Sequence, residues 1–249
     1  MFETCSRQVR NFGIDNFEVT MQAPDELHAK CLGVDQRYCG VVLVRALLDD
    51  VWGTNKTSAD ELLQAVVLQM RVALASYYAT ERRLDPDRKL SKIDRITVSM
   101  LGDIHKPCLH SKGGEAKDLV KFVTQLCKLN AQTNDFYKIG AIAGDALLEF
   151  NSIVRMNSAV LPNADQQALV KASVRHVTTY AALGGAYVPK HHEFIHLALA
   201  SKWFGNPRNI STWHDEHENG CVARLCVTIH PDTFCESVFE RIMVLELLV

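Results

Sequence analysis

The chain has 249 residues, 47% of them hydrophobic and 22% charged, with a formal net charge of −2. This composition excludes a disordered or fibrous chain, and the near-neutral balance excludes a global electrostatic pull toward nucleic acid or membrane. No apolar stretch reaches bilayer-spanning length, and residues 1–10 lack the apolar core of a secretory signal. The eight cysteines are therefore expected reduced and mostly buried, in an intracellular protein of nucleus or cytoplasm.

In chain order, residues 17–22 alternate apolar and polar and predict a short strand. A turn at Pro24-Asp25 follows. From Val34 to Trp52 the apolar residues Tyr38, Val41, Val42, Leu48 and Val51 keep helical spacing up to Gly53. Ser58-Ala-Asp-Glu61 is a capping box opening a long helix through Tyr78. Residues 86–92 read as a loop, and 95–101 alternate as a second short strand. Helices are predicted from Glu115 to about Asn130, Asp135 to Met156 and Asp165 to Leu183. Another starts at Pro189, suited to a first turn, and runs to Phe204 before the Gly205-Asn-Pro207 break. A last helical region starts near Thr212, with a kink at Pro231. The fold class is mainly α, with two or three short strands.

Four clusters carry potential chemistry. Asp25-Glu-Leu-His28 places a carboxylate where it fixes an imidazole, although such local pairs are commonly structural. His192-Glu193-x-x-His196 is the spacing with which a helix grips Zn²⁺ through two histidines and offers the glutamate as general base, with Glu216 available as third ligand. Lys190 opposes a cation there. The acidic run Trp213-His-Asp-Glu216-His-Glu-Asn219 suits either a divalent metal or a helix N-terminus. Cys221, Cys226, His230 and Cys235 lack a tight Cys-x-x-Cys pair and fit a buried helix face better than zinc.

Charge is uneven. Between Arg82 and Lys121 ten basic residues, among them Arg83, Arg88, Lys89 and Lys92, face six acids, whereas from Trp213 onward seven acids face only Arg224 and Arg241. The basic middle reads either as a nucleic-acid face or as solvated helix surface.

The order Asp25-Glu-Leu-His28-Ala-Lys-Cys-Leu-Gly33-Val-Asp, a helical stretch, Lys190-His-His-x-x-x-His196, Gly205-Asn-Pro207 and an acid-rich helix start resembles En/Spm (CACTA)-like DDE transposases, particularly relatives in protist mobile elements. The resemblance implies the C-terminal part of an RNase-H-like core. Residues 1–33 would be a remnant strand and Asp-x-x-His corner, 34–186 a helical insertion domain, and 187–249 closing helices. Asp25 and His28 would match the Asp-x-x-His motif and Glu216 the catalytic glutamate, with Asp25 and Glu216 as Mg²⁺ ligands in the ancestral activity. The two upstream aspartates of that family have no clear counterpart in the 24 residues before Asp25, and two-metal phosphoryl transfer needs several carboxylates. The expectation is a truncated or domesticated transposase-like protein without strand transfer or cofactor. It would bind DNA weakly and non-specifically through Arg82, Arg83, Arg88, Lys89, Lys92 and Lys190, or bind a partner or a second copy of itself, with no membrane. Two alternatives stand beside it: a zinc peptidase using His192, His196 and Glu216, and a non-enzymatic helical interaction module.

Overall fold

A computed structural model describes residues 24–54 and 59–213, with isolated positions beyond. The chain forms two compact units, Met1–Ile210 and Ser211–Val249. In the second, Trp213, Gly220, Ala223, Cys226, Val227 and Ser237 are helical. Glu216, Cys221, His230, Pro231 and Cys235 lie outside the described residues, as do the strand expected at 17–22 and the Ser58 cap.

In the first unit a π-helix, Leu27–Asp35, leads without a break into α1, Gln36–Leu48. There follow α2 (Ala59–Leu84), a 3₁₀ turn (Val98–Leu101), β1 (Gly102–Asp103), β2 (Lys106–Pro107), α3 (Gly113–Asn130), α4 (Asp135–Met156), α5 (Asn163–Ala182), α6 (Pro189–Phe204) and a 3₁₀ turn (Pro207–Ile210). Helix dominates, as the apolar spacing predicts. No described helix is long and apolar enough to cross a membrane.

Two expectations are corrected. Residues 95–101 are not a strand: they bend and close as a 3₁₀ turn, and the only described strands are the antiparallel two-residue pair β1–β2. Ile96 and Leu101 do face the core, but from irregular backbone, which mimics alternation. The first helix also starts well before Val34. Asp25 begins it, accepting Leu27 N–H at 3.1 Å and His28 N–H at 3.3 Å. An aspartate there satisfies backbone donors that a helix start leaves unpaired.

The helices α3, α4, α5 and α6 pack each on the next, and the π-helix lies against both α6 and α3, closing the ring. Tyr38, Phe150, Tyr180 and Phe194 fill its middle, all fully buried. Tyr38 donates from its hydroxyl to Gly140 O at 2.9 Å, and a Cβ on Gly144 would sit 2.2 Å from that hydroxyl, so only glycine admits the tyrosine there. On α2, the Tyr77 ring packs at a tilt against Phe122 of α3, centroids 5.4 Å apart.

The π winding has a purpose visible in its side chains. Lys30 and Asp35, five residues apart, form an ion pair at 2.6 Å with both side chains fully buried. In an α-helix residues five apart diverge by roughly 140°. The π-helix, whose hydrogen bonds join residues five apart, brings them together. Burial works against the charge on Lys30, but the attraction and hydrogen bond of Asp35, together with Cys31 and Glu26, outweigh it and hold the ammonium above its ordinary pKa. Glu26, also buried, accepts from Lys117 of α3 at 3.0 Å.

Candidate nucleic-acid interface

A groove of about 530 Å³ opens between α3 and α4. Helix periodicity aligns its walls. Lys117 and Lys121 lie one turn apart on α3, and Leu148, Asn151, Ser152 and Arg155 share one face of α4. Arg88 arrives from the loop after α2, and Arg208 from the turn after α6.

Arg208 is placed by the Gly205-Asn-Pro207 break. Gly205 takes φ 75°, and its backbone passes so close to Ala159 O that a Cβ would stand 2.3 Å away. This lets the buried Asn206 amide donate to Val154 O at 2.8 Å, Ser158 O at 3.0 Å and Asn157 O at 3.2 Å. These carbonyls include ones that the end of α4 leaves unpaired. The Asn206 carbonyl oxygen in turn accepts from Arg208 N–H at 3.2 Å.

Lys121 is held by Glu81 at 2.6 Å, Lys117 by Glu26 at 3.0 Å, and Arg88 by Asp118 at 2.8 Å. The guanidinium groups of Arg155 and Arg208 have no carboxylate partner among the described residues. Five cations thus face three carboxylates, a surplus of two positive charges concentrated on these arginines. Asn151 Oδ1, within the same wall, is shut from solvent without a hydrogen-bond partner among the described residues.

The residues singled out in the sequence fall at separate places. Arg88 alone of the six basic positions lines the groove. Arg82 and Arg83 are exposed at the end of α2, Lys89 is exposed in the loop, and Lys92 lies 5.9 Å over the Tyr78 ring. Lys190 pairs with Glu193 at 3.1 Å. Asp25 contacts the His28 ring through Oδ2 while capping its helix. On the exposed face of α6 the Nε2 atoms of His192 and His196 stand 2.9 Å apart. Among the described residues no group of three His, Cys, Asp or Glu side chains could hold a metal ion; Glu216 lies outside them. His191 instead turns inward, stacking on Tyr180 at 4.5 Å, and burial lowers its pKa. Cys31, Cys39 and Cys127 are free and buried.

Arg155 and Arg208 had no local signal in sequence, being 53 residues apart and joined only by the docking of Asn206 on α4. Comparison with models of known families, with curated proteins and with solved structures finds no match.

Proposed function

We propose that this chain binds DNA through the phosphate backbone, using the groove between α3 and α4, and that it carries out no strand cleavage. The observation that supports this is the uncompensated pair Arg155 and Arg208 beside three further cations in one concavity. Arginine presents a planar fork matched to phosphate oxygens, and phosphate neutralisation supplies most non-specific nucleic-acid affinity. Three of the five cations are already paired, so affinity is weak. This reading accords with descent from an En/Spm-like transposase with an RNase-H-like core. The absence of cleavage rests on Asp25, whose carboxylate is engaged by two helix N–H groups and His28 rather than presented to a metal.

The test is a titration with labelled duplex DNA carrying a single-stranded tail, at low and moderate salt. Affinity should fall with salt by the release of about two counterions. Arg155→Glu/Arg208→Glu should weaken binding at least tenfold with an unchanged thermal midpoint. Binding that ignores both salt and this variant overturns the reading, and Mg²⁺-dependent nicking lost in Glu216→Ala overturns the non-catalytic part.

A further inference from the structure

We infer that His192 and His196 form an exchangeable chelate for a divalent copper or nickel ion on the solvent-facing side of α6. None of the groove residues takes part, so the site is independent of the phosphate-binding reading.

Helix periodicity brings the two imidazoles together. Residues four apart are neighbours on one face of an α-helix, and α6 is continuous from Pro189 to Phe204. Both histidines are exposed, while Phe194 and Leu197 on the other side of the helix are fully buried and anchor it to the core. The two Nε2 atoms stand 2.9 Å apart and the ring centroids 4.3 Å apart, so the rings converge at these nitrogens. Without an ion, one Nε2 donates a hydrogen bond to the other. With the ring hydrogens on Nδ1, both Nε2 lone pairs are open to a shared ion, and neutral imidazole is a common metal ligand through this atom.

The spacing selects the ion. Nitrogen–metal bonds of about 2.0–2.1 Å put the two nitrogens about 2.9 Å apart when they meet at a right angle, and about 3.3–3.4 Å apart at a tetrahedral angle. The observed 2.9 Å matches the right angle. Such donors suit the square-planar and tetragonal sites of Cu²⁺ and Ni²⁺, whereas Zn²⁺ favours the tetrahedron.

The surroundings fix the strength. Lys190 is turned to Glu193 at 3.1 Å, so the neighbouring ammonium is met by a carboxylate, and that carboxylate is spent on it. The pair therefore supplies two protein ligands, fewer than the three of a catalytic zinc site, and water completes the coordination. Chelation still counts: once one imidazole holds the ion, the second is already within reach. The site fills when the ion is supplied and empties on dialysis.

The experiment is calorimetric titration of the metal-free full chain with Ni²⁺, Cu²⁺ and Zn²⁺ salts. Ni²⁺ is the main probe, since it does not oxidise the eight cysteines. His192→Ala and His196→Ala should each weaken Ni²⁺ binding by at least about tenfold, with the wild-type thermal midpoint in the absence of metal, because both side chains are exposed. His192→Ala/Leu199→His places an imidazole at an exposed position three residues beyond His196, again one turn away on the same face, and should regain binding. In the wild type the binding that depends on His192 should be tightest for Cu²⁺ and weakest for Zn²⁺. Ni²⁺ affinity that survives either single substitution, or a loss that the double variant does not restore, overturns the chelate. Zn²⁺ held by His192 as tightly as Cu²⁺ overturns the right-angle assignment and with it the choice of ion.

Discussion

Acid should loosen this protein through one histidine. His176 of α5 is fully buried, packed edge-on to Tyr38 and Phe194 and stacked with Tyr180 and His191. Its Nδ1 lies 2.9 Å from Ala143 O, and its Nε2 has no partner among the described residues. Burial drives its pKa down from 6.5 to about 3, the bond to Ala143 opposing only in part, while His191 and Lys30 add repulsion. The imidazole is neutral in the folded state, whereas in the unfolded chain it titrates near its ordinary value. As pH falls below 6.5 the unfolded chain takes up a proton that the folded chain refuses. Stability is therefore full above that pH and is lost progressively as the pH falls toward about 3. At about pH 5 the gap to the ordinary value is about 1.5 units, a loss of about 2 kcal/mol. Urea denaturation of wild type and His176→Phe at neutral pH and at about pH 5 checks this. Phenylalanine keeps the stack and has no proton to gain, so the variant should lose about 2 kcal/mol less than wild type between the two conditions. Identical losses in both proteins would refute the neutral, buried histidine.

Three further outcomes follow from the packing. Lys30→Met strands Asp35 as an unpaired buried charge and should cost about 3–5 kcal/mol, whereas Lys30→Met/Asp35→Leu should recover most of it; equal stabilities for the two variants in denaturant titration would contradict a buried pair. Gly40→Ala would set a Cβ 2.7 Å from the backbone of Cys108, forcing the β1–β2 segment off α1 at about 1–3 kcal/mol, and an unchanged unfolding midpoint would show that the contact is loose. Purified protein should hold no stoichiometric zinc by elemental analysis, since Lys190 occupies Glu193. One zinc per chain, lost in His192→Ala, would favour the peptidase.

Helices whose ends carry chemical punctuation were legible in the sequence. α4 runs from Asp135 to Met156 as expected, its start fixed by Asn134 accepting Phe136 N–H. α6 runs from Pro189 to Phe204, between a first-turn proline and the left-handed Gly205. The π-helix was not legible, because charged and apolar side chains alike are buried around it, leaving no amphipathic stripe to read. The basic residues 82–121 suggested a charged surface, but charge in sequence is not free charge in space: Arg88, Lys117 and Lys121 are neutralised by Asp118, Glu26 and Glu81. The two groove arginines without a carboxylate partner among the described residues, Arg155 and Arg208, lay outside that segment, and only tertiary packing brings them beside Arg88, Lys117 and Lys121.

The π-helix also sets how this segment tolerates changes in length. Surface loops such as 85–92 absorb an inserted or deleted residue at little cost. Between Leu27 and Asp35, loss of one residue would let the chain relax to ordinary α winding. The Lys30–Asp35 ion pair would then be out of phase, and every side chain upstream, including the Asp25 cap and Glu26, would rotate by roughly 100° relative to α1. A single deletion here should therefore be worse tolerated than any single substitution among the same residues. In related sequences this stretch should vary in letters but hold its length, a signature that substitution patterns alone would miss.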